Sequence, residues 1–207
     1  INAYILLSNM QVTVETPEEQ IITHIRYMER SDVNFDRLDY LNDLSRYVCA
    51  NLPDVEEMKV RLEDVMNRRE QPLLLGLLGA ILAACGFIVF FGGNLYDAVA
   101  GIFMAALVVA LRKFFFSREN NQLVLNFAIS FVAGIFALLL VQIGIPVHED
   151  KIMMGGIMLL IPGIAMTNAV RDMLIGDIAS GLLRLSNALM VAASIACGFA
   201  MAIALFG

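Results

Sequence analysis

Tryptophan is absent from the chain, histidine occurs twice, cysteine three times, and only 16% of the 207 residues are charged. Soluble domains carry about a quarter charged residues, whereas 59% of this sequence is hydrophobic, so the shortage of charge excludes an ordinary soluble fold. The chain reads as an integral membrane protein. Cys49, Cys85 and Cys197 are too few for a disulfide framework and are expected as buried small hydrophobes. His24 and His148 lack neighbouring Cys or carboxylate clusters of ligand spacing, so no metal site is expected. His148-Glu149-Asp150 reads as a solvated loop, with a weak divalent-cation site as the lesser reading. There is no G-x-x-x-x-G-K-[ST], no G-x-G-x-x-G and no G-x-S-x-G. Nothing therefore cradles a nucleotide phosphate or presents an elbow serine, an ATP-driven pump would need another chain, and no cofactor is implied. A net charge of -6 argues against nucleic acid as a partner.

The charge that is present is unevenly placed. Most lies before Pro72, which predicts an amino-terminal domain over 1–71 and a membrane domain over 72–207. The first is near the lower size limit for a self-supporting core. The opening "INAYILLS" has neither a basic flank nor a small-residue cleavage site, so no signal peptide is expected. Crossing a hydrocarbon core about 30 Å thick takes roughly 20 helical residues. Spans are predicted at about 73–91, 95–111, 123–145, 152–170 and 177–206, the fourth broken by Pro162. Arg61, Arg68 and Arg69 precede the first span, Arg112, Lys113 and Arg118 follow the second, and Arg171 and Arg184 flank the start of the fifth. The intervening loops are poor in Lys and Arg, which predicts the amino terminus in the cytoplasm and the carboxyl terminus outside. Without tryptophan, the interfacial belt falls to Tyr96 and Phe114-Phe115-Phe116.

In the first domain, "AYILLSNMQVTVE" and "QIITHIRYM" are rich in β-branched residues and flank Thr16-Pro17-Glu18-Glu19, which predicts a β-hairpin. Phe35, Leu38, Leu41, Leu44 and Val48 predict one helix, and Val55, Met58, Leu62 and Val65 a second. In the membrane part, Gly76/Ala80/Ala84, Gly101/Ala105 and Ser194/Gly198 recur at four-residue spacing, which lets backbones approach closely in a compact bundle. Asn126, Ser130 and Gln142 suit helix-helix hydrogen bonds.

Ionisable residues inside a span cost at least about 2.5 kcal/mol and mark candidate sites. Asp97 either reaches back to the outer interface or belongs to a pathway. The stretch "LLIPGIAMTNAVRDMLIGDIASGLLRL" gathers more. Pro162 lacks the N–H that would bond the Met158 carbonyl and so breaks the helix, and Gly163 eases the unwinding. A half-helix starting after Gly163 would aim free N–H groups at a carboxylate, as in the broken helices of secondary transporters. Thr167 and Arg171, and Asn168 and Asp172, form pairs four apart. Asp177, Ser180, Arg184 and Asn187 follow at spacings of three, four and three, a polar stripe over about 15 Å of helix. The apolar Leu182, Leu183 and Leu185 on its other faces favour a cavity wall over a free loop.

The string from Pro162 to Gly198, with its Pro-Gly, Thr-Asn, Arg-Asp, Gly-Asp, Ser-Gly and Arg elements in order, resembles the bacterial threonine/serine exporter family. The resemblance runs from near Ser8 through all five spans. It implies a small cytoplasmic domain joined to a five-helix membrane half, an all-α polytopic bundle with an α+β amino-terminal domain, in the bacterial cytoplasmic membrane. It also implies a second, smaller membrane half, fused or separate, chain beyond both Ile1 and Gly207, an oligomeric assembly, and export of a small carboxylate-bearing metabolite. Family members include threonine/serine exporters and two-subunit succinate exporters.

Three readings follow. As a secondary exporter driven by protons or membrane potential, the chain would bind its substrate with Pro162, Gly163, Thr167, Asn168, Arg171, Asp172, Asp177, Ser180 and Arg184. Asp172, Asp177 or Asp97 would carry a coupled proton. As an intramembrane aspartyl protease it would pair Asp97 in "LYDA" with Asp177 in "LIGD", although Leu174 stands where such enzymes carry glycine. As a scaffold, it would leave the substrate site to its partner.

Overall fold

The computed structural model describes residues 2–6, 9–15, 21–27, 35–68, 72–116 and 121–207. The chain divides into two compact units, Ile1–Leu73 and Leu74–Gly207.

The first unit holds a three-stranded antiparallel meander and a helical hairpin. Strands β1 (Asn2–Leu6), β2 (Asn9–Glu15) and β3 (Ile21–Tyr27) pair in that order. The hairpin expected around residues 16–19 corresponds to β2 and β3, with Thr13 opposite Thr23, while the turn itself lies outside the described residues. The first half of that hairpin is two strands rather than one. Helices α1 (Phe35–Asn51) and α2 (Val55–Met66) follow the predicted periodicity. Asp54 caps α2 by accepting from the Val55 N–H at 2.8 Å. The Tyr47 hydroxyl donates to Glu57 at 2.9 Å and Arg61 donates to the same carboxylate oxygen at 3.0 Å. The Tyr47 hydrogen bond first, and then Arg61, hold the Glu57 carboxyl below the usual carboxylate range.

Every regular element among the described residues of the second unit is a helix. Its helices are α3 (Leu73–Phe90, opening on the last residue of the first unit), α4 (Leu95–Phe116), α5 (Gln122–Gln142), α6 (Glu149–Leu160), α7 (Gly163–Leu174) and α8 (Ile178–Phe206). Helices α3, α4, α5 and α8 are each long and apolar enough to cross a membrane, and α6 with α7 makes a fifth if the bent pair is one span. Helix α4 runs past the expected end at 111, through the exposed Arg112 and Lys113. Helix α5 stops three residues short of 145, at a turn where Gly144 takes φ 86°. Arg69 and Arg118 lie outside the described residues.

The core is formed by α4, α5, α6 and α8, with Met104, Ile129, Ala133, Ile152 and Ala202 inside it. Two of the three small-residue rows create contacts. A β-carbon at Gly101 would sit 2.5 Å from Ile88, and one at Gly198 would meet the Ser130 hydroxyl and the Phe127 carbonyl oxygen. Gly76 meets nothing within 4 Å, so that end of its row faces outward. The cysteines correct the expectation of burial: Cys49 and Cys197 are exposed and Cys85 is half-buried, its thiol donating to the Ala98 carbonyl at 3.2 Å. An exposed thiol on a spanning helix meets lipid, which an apolar side chain tolerates as well as protein.

Candidate functional site

Pro162 sets the geometry of the polar stretch. Helix α6 ends at Leu160 and α7 begins at Gly163, with a bend of 53° between them. Pro162 occupies the N-cap position of α7 and offers no side-chain cap. The Gly163 N–H donates back to the Ile161 carbonyl at 2.9 Å, and the first intrahelical bond runs from the Met166 N–H to the Pro162 carbonyl at 3.1 Å. Helix geometry then leaves the N–H groups of Ile164 and Ala165 without intrahelical acceptors, at the positive end of the helix dipole.

Helix α7 closes with a Schellman turn. Gly176, at φ 97°, donates to the Met173 carbonyl at 3.2 Å while the Asp177 N–H reaches the Asp172 carbonyl at 2.9 Å. A left-handed residue is required there, which favours glycine. The turn folds α8 back along α7. A β-carbon at Gly181 would lie 2.8 Å from the Ala169 carbonyl oxygen, so the two backbones almost touch.

Within this hairpin the predicted residues separate. Asp172 crosses from α7 to α8 and pairs with Arg184 at 3.1 Å, both side chains half-buried. Thr167 donates to the Gly163 carbonyl at 3.0 Å rather than accepting from Arg171, and Asp172 engages Arg184 rather than Asn168, so neither four-apart pair on α7 bonds internally. Asp177 is the N-cap of α8, accepting from the Ser180 N–H at 3.3 Å. Ser180 and Arg184 are half-buried; Asp177, Asn168 and Asn187 are exposed. Arg171 makes no ion pair among the described residues. It borders an open depression of ≈ 440 Å³ with Met166, Thr167, Val170 and Leu174.

The depth of these groups follows from the register of α8 on α5. The helices run parallel: Gln142 donates to the Phe206 carbonyl at 2.8 Å, and Gly134 and Ser130 face Ala202 and Gly198. Partners differ by 64 to 68 in number, which puts Gln122, the start of α5, level with residues 186–190. Asp172, Asp177, Ser180 and Arg184 therefore lie beyond the end of α5, at the mouth of the bundle, and the Pro162 break lies deeper.

Asp97 lies at the opposite end, fully buried at the start of α4. It accepts from the backbone N–H of His148 at 2.7 Å. His148 is thus the N-cap residue of α6 held on a buried carboxylate, not part of a free solvated loop. Helix α8, 29 residues long, extends about 43 Å. Asp97 and Asp177 lie at its two ends and cannot share one water, so the paired-aspartate protease is excluded. Among the described residues no group of three or more His, Cys, Asp or Glu is placed to hold a metal ion.

Comparison with known proteins identifies the family. The model of the family described as "Putative threonine/serine exporter" matches residues 1–206. The chain belongs to the threonine/serine exporter family. Two curated relatives are 25% identical over 202 residues, covering 97% of this chain and 78% of theirs. Both are named "Probable succinate transporter subunit YjjP", one from Escherichia coli and one from Klebsiella aerogenes. No solved structure matches. Members of this family are transporters, so the chain is not an enzyme.

In this exporter-family bundle the neutral polar groups of α5 divide three ways. Gln142 bonds across to α8 as expected. Ser130 instead donates to its own helix, to the Asn126 carbonyl at 2.6 Å. Asn126 is buried and its Oδ1 has no hydrogen-bond partner. An unmet buried polar atom costs about 1–3 kcal/mol. Asn126→Leu, with the same number of side-chain heavy atoms and the same branching, is therefore expected to keep or raise the melting temperature in detergent. A fall of several degrees would show that the amide is satisfied in the folded protein.

Proposed function

We propose that this chain is the larger membrane half of a secondary exporter and that it moves a small carboxylate-bearing metabolite, threonine or serine in the first reading. The observation that carries the proposal is the uncapped start of α7 at the Pro162 break, which leaves two N–H donors at the depth of α5. A substrate carboxylate suits that position. Arg171 lies eight residues further, about 12 Å along the helix. It does not share the same carboxylate; it serves the mouth, drawing anions toward the depression beside it.

The Asp172–Arg184 pair supplies a route to coupling. With Arg184 engaged, neither charge is available. Protonation of Asp172 would release the guanidinium to a carboxylate passing the mouth, and departure of the substrate would let the pair reform. Of the three aspartates considered for the proton, Asp172 is thus preferred. Asp177 is occupied as a cap and Asp97 sits at the far end. Asn168, Thr167 and Ser180 would line the same path.

The reading places the amino-terminal unit in the bacterial cytoplasm and the end bearing His148 outside, following the Lys and Arg distribution. It assigns the second, smaller membrane half to a partner, which the word "subunit" in the relatives' names supports. The same names favour a dicarboxylate such as succinate as the second substrate reading. Counterflow in liposomes of anionic bacterial lipid, with and without the candidate second half, tests both. Exchange of labelled threonine or serine supports the first reading and exchange of succinate the second. Exchange of none with both halves present overturns the assignment.

A further inference from the structure

The end of the membrane unit where α3, α5 and α8 finish holds a polar cluster that the proposed transport path does not use. Both oxygens of the buried Asp97 are engaged. The Asn94 N–H donates to Oδ2 at 2.7 Å, the His148 N–H donates to Oδ1 at 2.7 Å, and His148 Nδ1 lies 3.0 Å from Oδ2. Asn94 in turn accepts from the Asp97 N–H at 2.9 Å. A reciprocal capping box at the start of α4 is thereby extended to the N-cap of α6, 51 residues away.

Among these donors only the imidazole titrates. Backbone N–H groups keep their protons throughout, whereas the ordinary charge change of histidine falls between about pH 5 and 8. The His148 side chain is 61% exposed while Asp97 is fully buried. A proton can therefore reach the ring from water without entering the bundle.

We propose that Asp97 and His148 form a proton-binding site, with the proton held on the imidazole and the buried carboxylate as its fixed counter-charge, and that its occupancy sets how firmly the start of α6 is clasped to α4. Uptake of one proton from water adds a positive charge to a ring that already lies against a carboxylate, so the contact becomes an ion pair as well as a hydrogen bond. No other bond forms or breaks. The charged and titratable groups around it are few. Helix α6 contributes Glu149, Asp150 and Lys151, the last two paired at 3.0 Å, and α4 contributes the exposed Tyr96. Helix α3 contributes the half-buried Cys85, whose thiol donates to the Ala98 carbonyl at 3.2 Å, and the loop to α4, residues 143–147 and the ends of α5 and α8 contribute none. The clasp is thus strongest below the histidine range and loosens as pH rises through it. Because α6 runs without interruption from His148 to the Pro162 break, the clasp sets the position of that break. It stands on helix packing, so it holds or fails separately from transport.

The test is a distance measurement by paired spin labels at Tyr96 and Met154, both exposed, after replacing the three cysteines with alanine. At about pH 5.5 one short population is expected, and at about pH 8 a second, longer one. His148→Gln, which keeps a donor and cannot titrate in this range, should give the same distribution at both pH values; His148→Asn serves if glutamine does not fold. Melting in detergent gives an independent reading. The unsubstituted chain should exceed His148→Gln by about 2–4 °C at the lower pH and by nothing at the higher. A pH-independent distance in the unsubstituted chain, or the same pH response in both neutral variants, overturns the proposal.

Discussion

Asp172→Asn and Arg184→Gln are each expected to reduce efflux by about 100-fold, the equivalent of 2–3 kcal/mol in the barrier, while lowering the melting temperature only slightly. The pair is partly exposed, 33% for Arg184 and 19% for Asp172. Its contribution to stability is therefore about 1 kcal/mol after solvent screening. Its contribution to transport is larger in the proposed mechanism, because Arg184 must alternate between Asp172 and a substrate carboxylate.

The reciprocal exchange separates the two roles. In Asp172→Arg with Arg184→Asp the ion pair reforms across the same α7–α8 contact, so the melting temperature should return to that of the unsubstituted chain. Transport should not return, since the guanidinium now sits on α7, and its aspartate partner, the proton carrier, on α8. Recovery of efflux by the exchange would show that the pair only fastens the hairpin and would remove it from the mechanism. The measurement is counterflow in liposomes beside thermal unfolding in the same detergent. Asp177→Asn is a control: amide and carboxylate oxygens both cap helices well, so the hairpin should persist and any transport loss would reflect the charge itself.

How far the sequence reveals this arrangement depends on the range of the interaction. The Pro162 break is legible because it is local: a missing N–H cannot be restored by a distant contact. The capping box at the start of α4 was open to the same reading, since Asn94-x-x-Asp97 places two short polar side chains three apart at a helix start. Its extension to His148 was not, because nothing local to residue 148 points to a carboxylate 51 positions earlier. Asp172 meeting Arg184 depends on the turn at Gly176, which reverses the chain; read as one continuous stripe, the same residues lose that contact. The depth of the stripe needed the register of α8 on α5, which periodicity does not supply. The exposure of Cys197 on α8 was hidden for another reason. In a membrane, apolar character no longer separates interior from exterior.

That register is set where the two backbones approach most closely, at Gly134 and Gly198, so Gly198→Leu is expected to have the largest structural effect. Even a β-carbon at residue 198 would overlap the Ser130 hydroxyl and come within 2.6 Å of the Phe127 carbonyl oxygen. The carbonyl belongs to the α5 backbone and cannot rotate away. Nor can Ser130 yield easily, because its hydroxyl is bonded to the Asn126 carbonyl at 2.6 Å. Helices α5 and α8 must separate, and the contacts of Gly134 with Ala202 and Gln142 with Phe206 separate with them. Over-packing of this kind costs about 1–3 kcal/mol where the core can adjust and more where it cannot, which for a chain of this size lowers the melting temperature by roughly 10 °C or abolishes folding. Gly76→Leu adds the same side chain to a helix face with nothing within 4 Å and should leave the melting temperature within about 1–2 °C, the range of a surface substitution. Equal losses from the two variants would mean that glycine matters for helix flexibility in general. A loss confined to residue 198 would locate the load-carrying contact of the bundle between α5 and α8, and with it the depth assigned to the Pro162 break.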